Sequence, residues 1–316
     1  MSLALFNPSI ASGNVGDSII IDAVLRELSN VFPDESVIHI PTQDVVGSVS
    51  KRIASECVHR FVGGTNLLSS QMLKYKQWKI NIFDSQKMRD ITLMGVGWWQ
   101  YQKSPDLYTS VLLRRVLSKK KIHSVRDEYT KVKLSAIGIT NVLNTGCPTM
   151  WGLTSEHCAK VSNEKAASVV FTLTDYKRLP HIDRKLIDTL KKMYKTVYFW
   201  PQGTGDLKYI HSLSPSGVRI LPMTLSAFNT LLDSETSLDF VGTRLHGGVR
   251  ALQKKRRTLI LAVDNRAREI SKDTKLPVVE REDFEAIENW IQSPCRPNIK
   301  MDFDAINSWR RQFISF

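Results

Sequence analysis

The sequence predicts an α/β fold of two domains, each alternating parallel strands with helices, the two facing each other across a cleft. Three observations carry this. Short apolar runs alternate with longer segments of helical period along the whole chain. The alternation breaks once, over the polar, aperiodic stretch 155–166, and then restarts. Glycine-polar clusters recur where strands are expected to end, which is the edge at which parallel sheets hold ligands.

In the first half, residues 3–7, 37–40, 59–63, 91–97, 122–126 and 142–147 read as strands. Between the first two lies a helix over 18–29, where Ile20, Val24, Leu25 and Leu28 fall on one face at three- and four-residue spacing. In the second half, strands are expected at 168–173, 196–200, 218–221, 238–242 and 259–263, with helices at 184–195 and 247–254. The tail, 302–316, carries Phe303, Ile306, Trp309 and Phe313 at helical spacing and reads as an amphipathic helix. The domain boundaries that follow are 1–154, 167–298 and a last helical segment, 299–316.

Composition narrows the class. The chain has 316 residues, 42% hydrophobic and 24% charged, which suits folded domains and excludes a disordered or collagen-like chain. No run approaches the ~20 apolar residues that span a bilayer. The start lacks a basic leader followed by a long apolar segment, so a cytoplasmic protein is expected. Cys57, Cys147, Cys158 and Cys295 are scattered, with no zinc-type spacing, and no metal site is expected. The net charge of +13 admits nucleic acid, an anionic membrane or an anionic small substrate. No nucleic-acid module is visible, and no nucleic-acid partner is expected. The sharpest basic runs are Lys119-Lys120-Lys121 and Lys254-Lys255-Arg256-Arg257. Both suit solvated helix ends. The second, on the alternative reading, faces an acidic membrane surface or an anionic glycan.

Five motifs sit at expected strand ends. Gly13-Asn14-Val15-Gly16-Asp17 lies between the first strand and the first helix, without the dinucleotide-binding G-x-G-x-x-G spacing. Asp17 either caps that helix or accepts a proton from a hydroxyl substrate. Gly63-Gly64-Thr65-Asn66 and Gly95-Val96-Gly97 offer backbone amides and small polar groups to a ligand. Trp98-Trp99-Gln100-Tyr101 follows, with rings suited either to sugar faces or to packing. In Ser124-Val125-Arg126-Asp127, Arg126 is either an anion clamp or half of an Arg–Asp pair. The most specific motif is Gly242-Thr243-Arg244-Leu245-His246-Gly247-Gly248. Arg244 and His246 are two apart, so an extended backbone turns both to one side, a fixed cation beside a titratable group.

These pieces, in this order, resemble the polysaccharide pyruvyl transferase family. The matching elements are Gly13-Asn14-Val15-Gly16-Asp17, Gly63-Gly64-Thr65-Asn66, Ser124-Val125-Arg126-Asp127, Gly146-Cys147-Pro148 and Thr243-Arg244-Leu245-His246. The resemblance implies two Rossmann-like domains of the GT-B type, 1–154 on the acceptor side and 167–298 on the phosphoenolpyruvate side, with the last helix returning to the first domain. It implies transfer of a pyruvyl group from phosphoenolpyruvate to hydroxyls of a glycan or glycan precursor, as a ketal, in cell-surface polysaccharide biosynthesis. Phosphoenolpyruvate is then the donor substrate, and no cofactor is expected.

The partners implied are that donor, a sugar, oligosaccharide or lipid-linked glycan acceptor, and a peripheral contact with an anionic membrane surface at its inner face. The resemblance carries the catalytic roles to His246, Asp17 and Arg244. It carries substrate binding to Arg126, Arg244, Asn14, Gly64, Thr65, Asn66 and Gly247. His246 donates the proton to the methylene carbon, and Asp17, from the opposite domain, takes one from the acceptor hydroxyl. Many members are more glycine-rich around Gly64-Thr65-Asn66. Two other readings stand beside this one: a nucleotide-sugar glycosyltransferase of the same architecture, and a non-catalytic glycan-binding protein.

Overall fold

The computed structural model describes residues 2–234 and 237–314. Met1 of the expected first domain, and Ser315 and Phe316 of the expected tail helix, lie outside the described residues. The chain divides into two units. Unit 1 comprises residues 1–12, 20–151 and 301–316, and unit 2 comprises residues 13–19 and 152–300.

Unit 1 is built in sequence order from β1 (Ser2–Asn7), α1 (Val15–Val31), β2 (Ser36–Pro41), α2 (Ser48–Glu56), β3 (His59–Gly63), β4 (Ile91–Met94), α3 (Leu107–Val116), β5 (His123–Val125), α4 (Glu128–Ser135) and β6 (Val142–Asn144). The strands run parallel in the order β2-β1-β3-β4, with β5 paired to β6. Two backbone bonds hook that pair onto the end of β4, Gly95 N to Ser124 O at 3.0 Å and Arg126 N to Val96 O at 3.1 Å.

The strands are apolar on both faces because both faces are covered. Leu3 and Leu5 of β1 pack with Ile20, Val24 and Phe61 on one side. Ala4 and Phe6 pack with Val62, Leu93 and Trp78 on the other.

Unit 2 holds α5 (Ser155–Ala159), β7 (Ser168–Thr172), α6 (Pro180–Met193), β8 (Thr196–Phe199), α7 (Asp206–Ser212), β9 (Val218–Ile220), α8 (Leu225–Ser234), β10 (Leu238–Gly242), α9 (Leu245–Gln253), β11 (Arg257–Ala262), α10 (Asn265–Thr274), β12 (Val278–Glu280) and α11 (Phe284–Gln292). Its six strands are all parallel, in the order β12-β11-β10-β7-β8-β9. The stretch expected to be a plain connection contains α5, which Thr154 caps by accepting from His157 N at 3.1 Å.

The last helix, α12 (Phe303–Arg311), belongs to unit 1. Ile306 and Trp309 join the cluster around Leu3, Leu5 and Phe61. Arg310 Nη2 bonds Glu27 Oε2 at 2.6 Å, and Gln312 Oε1 accepts from Ile122 N at 2.6 Å. Among the described residues no helix is long and apolar enough to cross a membrane.

The Lys254–Arg257 run is not a continuous basic surface. Arg257 is buried in an ion pair with Asp239 at 2.7 Å, and its guanidinium lies over the Trp290 ring at 3.8 Å. Arg256 Nε donates to Leu232 O at 2.9 Å and Lys254 pairs with Asp233 at 2.8 Å, so Lys255 alone stands exposed. Partners supplied by distant segments turn a run that looks solvated into packing.

Candidate active site

In unit 2 the candidate residues collect at the carboxyl ends of β7, β8 and β10. Thr243 and Arg244 leave β10, and α9 begins at Leu245, two residues earlier than its glycines suggest. Arg244 is the extended residue before the helix (φ −92°, ψ 102°) and His246 already lies in its first turn. The two are therefore not alternate residues of one extended segment. Gly248 explains the early start: a Cβ there would stand 2.5 Å from Ile260 Cγ1, so the glycine lets the helix pack onto the sheet. At Gly247 a Cβ would meet Gln202 Oε1 at 3.1 Å and the Phe240 ring at 3.4 Å. His246 is buried, as are Arg244 and Thr243.

The loop that receives Arg244 is Gln202-Gly203-Thr204-Gly205-Asp206, which follows β8. Arg244 Nε donates to Asp206 Oδ2 at 3.0 Å and to Leu173 O at 3.3 Å. Its Nη2 donates to Asp175 Oδ1 at 3.1 Å and also to Asp206 Oδ1. Both glycines are required by proximity, since a Cβ at Gly203 would lie 2.5 Å from Arg244 Nη2 and one at Gly205 2.0 Å from Asp175 Oδ2. Burial pushes the Asp206 carboxyl up, while Arg244 draws it back down.

Residues 13–19 belong to this unit rather than to the first, because the backbone ties them to the same loop. Val15 N donates to Gln202 O at 2.8 Å, and Thr204 N to Gly13 O at 3.0 Å. Asp17 and His246 thus stand in one unit, not in opposite domains. Asn14 Oδ1 accepts from Gly16 N at 3.1 Å, so the capping carbonyl at the start of α1 is that of Asn14. The same oxygen accepts from Gln202 Nε2 at 2.9 Å. Gln202 Oε1 is buried without a partner. Asp17 is buried in the first turn of α1.

In unit 1 the structure brings Arg126 and Asn66 together. Arg126 has no exposed surface; Nη2 donates to Asn66 Oδ1 at 2.6 Å and Nε to Asp127 Oδ2 at 3.2 Å. Nη1 is buried without a partner. The other Asp127 oxygen caps α4, accepting from Thr130 N at 2.8 Å. Gly97 makes room for the guanidinium, since a Cβ there would stand 2.1 Å from Arg126 Nη2.

Gly64 is left-handed (φ 56°) and tight against Ile20, and Thr65 follows at φ 60°, a conformation that a β-branched residue rarely adopts. Thr65 O accepts from Gly97 N at 2.9 Å, which joins the two glycine loops. Of the aromatic run, Trp98 is fully buried and serves packing, whereas Trp99 is half-buried against Tyr75 at 4.8 Å.

Sequence reasoning passed over Gln202, Asp206 and Asp175. The signal was present in Gly203-Thr204-Gly205-Asp206 directly after an apolar strand, the same glycine-polar pattern as at the other strand ends. Among the described residues, no group of three or more His, Cys, Asp or Glu side chains is placed to hold a metal ion.

Residues 14–265 match the model of a protein family described as polysaccharide pyruvyl transferase. Among solved structures, the Staphylococcus aureus MnaA-UDP co-structure aligns with a TM-score of 0.51 at 11% identity, covering 92% of this chain and 87% of that one. Escherichia coli heptosyltransferase WaaC with ADP-2-deoxy-2-fluoro heptose aligns with a TM-score of 0.37 at 10% identity, over 83% of this chain and 88% of that one. No curated protein is significantly similar in sequence. The fold is α/β with parallel sheets, of the GT-B type.

Proposed function

Since the chain belongs to the polysaccharide pyruvyl transferase family, we propose that it moves a pyruvyl group from phosphoenolpyruvate to two hydroxyls of a sugar in a glycan or glycan precursor, as a cyclic ketal. The observation that carries the reading is common to both arginines. Each is held by a carboxylate, Arg126 by Asp127 and Arg244 by Asp206, and Arg126 keeps a buried Nη1 without a hydrogen-bond partner. A guanidinium oriented by one carboxylate, with a nitrogen left over, suits an anionic oxygen of the donor. Phosphoenolpyruvate, with its phosphate and its carboxylate, offers such oxygens.

The reaction needs a proton at the methylene carbon of the donor and a base for the attacking hydroxyl. In this reading His246 gives the first and Asp17 takes the second, both from unit 2. Protonation leaves a cation at the adjacent carbon, and the sugar oxygen bonds there. The bond from that carbon to the phosphate oxygen then breaks. A second hydroxyl closes the ring as its proton leaves with phosphate, so one donor and one diol yield one ketal and one phosphate. The first-turn amides of α9, with no carbonyl one turn back to receive them, favour negative charge beside His246.

The test is phosphate release from phosphoenolpyruvate in the presence of a panel of oligosaccharide and lipid-linked acceptors, with the product identified by mass and by its ketal methyl signal. The expected result is acceptor-dependent phosphate release that His246→Asn abolishes. Thermal stabilisation by UDP-, GDP- or CMP-sugars, with none by phosphoenolpyruvate, would overturn the reading in favour of glycosyl transfer.

A further inference from the structure

The five most exposed large apolar side chains among the described residues all lie on neighbouring segments of unit 1. They are Phe83 and Leu107 (78% each), Val45 (73%), Val49 (61%) and Leu73 (60%). The segments are those that follow the carboxyl ends of β2, β3 and β4, and they are held to one another. Lys79 N donates to Thr42 O at 2.8 Å, which ties the stretch containing Leu73 and Phe83 to the loop containing Val45. Lys51 on α2, two residues past Val49, pairs with Asp84, next to Phe83, at 2.5 Å. Met72 N donates to Thr109 Oγ1 at 2.9 Å, which sets Leu73 beside the start of α3 and so beside Leu107.

The segment is not a frayed loop. Met72, Trp78, Ile80 and Met88 anchor it in the core, while Leu73 and Phe83 point out. Exposure of five such side chains on anchored backbone is costly unless something apolar receives them.

Lysines flank them. Lys74, Lys76, Lys79, Lys87 and Lys103 are all exposed, and none pairs with a carboxylate among the described residues. That composition separates the two kinds of apolar partner. Protein interfaces are depleted in lysine, and a second copy docked face to face would set these like charges against one another. A bilayer with anionic headgroups takes both features at once, apolar side chains into the acyl boundary and ammonium groups onto phosphates. We propose that this edge of unit 1 docks on an anionic lipid bilayer. The edge is the one that carries Asn66 and Arg126, so docking brings that cluster near the headgroups. If the pyruvyl-transfer reading holds, the acceptor is a lipid-linked glycan; the docking itself does not rest on that reading.

The test is co-sedimentation of the full chain with vesicles of phosphatidylcholine alone and of phosphatidylcholine mixed with phosphatidylglycerol. Binding is expected to the mixed vesicles only and to weaken with salt. A Lys74→Gln/Lys76→Gln/Lys79→Gln variant should lose roughly fivefold in partitioning per lysine. A Phe83→Ser/Leu107→Ser variant should lose about tenfold or more. Thermal melts check that the variants fold, and Phe83→Ala/Leu107→Ala replaces the serine pair if that one does not.

The proposal is overturned by wild-type protein that ignores the mixed vesicles, or by variants that bind as wild type does. Self-association that the apolar variant abolishes, without vesicle binding, overturns it in favour of an interface between copies. No donor enters the assay, so a failed pyruvyl-transfer assay leaves the vesicle result standing. The lysine variant should also keep wild-type turnover on a soluble acceptor.

Discussion

Asp206 accepts along one edge of the Arg244 guanidinium with both oxygens, Oδ2 from Nε at 3.0 Å and Oδ1 from Nη2, and has no exposed surface. The carboxylate therefore fixes the plane of the cation at the entry to α9, two residues before His246. Asp175 bonds the same Nη2 from the partly exposed side. Stability and reactivity meet in this pair, and substitution can separate them.

Arg244→Met alone should leave a buried carboxylate without its counter-charge and cost about 3–5 kcal/mol, read as a lowered midpoint of unfolding. The double variant Arg244→Met/Asp206→Leu should recover most of that loss, because two apolar side chains fill the space without an orphaned charge. Pyruvyl transfer should be absent from both. If the double variant transfers pyruvate at the wild-type rate, Arg244 serves folding alone.

Gly97→Ala tests the other arginine without touching its charge. The added methyl would stand 2.1 Å from Arg126 Nη2, so the guanidinium must leave Asn66 or the loop must move. A loss of about 1–3 kcal/mol in stability is expected from the crowding. Kinetic assays should show the KM for phosphoenolpyruvate rising more than the KM for the acceptor. An unchanged donor KM in a folded protein removes Arg126 from donor binding.

How much of this was legible in the sequence depended on where the partners lie. Strands buried on both faces read as unbroken apolar runs, so β1, β3, β7 and β10 stood out at their observed places. The edge strand β12 is three residues of a Pro-Val-Val-Glu stretch and has no period to find. Gly247 and Gly248 read as the start of a helix, but α9 begins two residues earlier, and their small size is needed against Phe240 and Ile260. Arg257 looked like part of a solvated run because Asp239, its counter-charge, is 18 residues away. Arg126 and His246 could be singled out because a cation and an imidazole after strand ends are unusual. Gln202 and Asp206 were missed because their roles exist only once β8 lies beside β7.

Acid should destabilise unit 1 through His123. Burial lowers this imidazole to about 4, with the bond to the Ser118 carbonyl pulling the other way. Its Nε2 lies 2.8 Å from Ser118 O, and Leu93 N donates to Nδ1 at 3.2 Å, so the ring is held neutral. The unfolded chain titrates near 6.5 and takes up the proton first. This contribution is therefore complete above pH 6.5, falls as pH drops towards 4 and is gone below it, up to about 3 kcal/mol in all. Urea melts across that window should show the slope in wild type and a shallower one in His123→Gln. Parallel slopes would exclude His123 as the source.

The contact between Gly16 and Gln202 predicts non-additivity. A Cβ at Gly16 would stand 2.4 Å from Gln202 Nε2, the nitrogen that bonds Asn14 Oδ1 at 2.9 Å. Gly16→Ala should cost about 1–3 kcal/mol by displacing that amide, and Gln202→Ala about 1 kcal/mol for the lost bond. In the double variant the new methyl enters space the amide has vacated, so the cost should fall below the sum by ~1 kcal/mol or more. Asp17 is the next residue along α1, and its carboxylate should move with Gly16. Turnover should therefore fall in Gly16→Ala and recover in part in the double variant, with the KM for donor little changed. Strict additivity of stability would show that Gln202 does not set the position of Gly16, and turnover equal to wild type in Gly16→Ala would detach Asp17 from the chemistry.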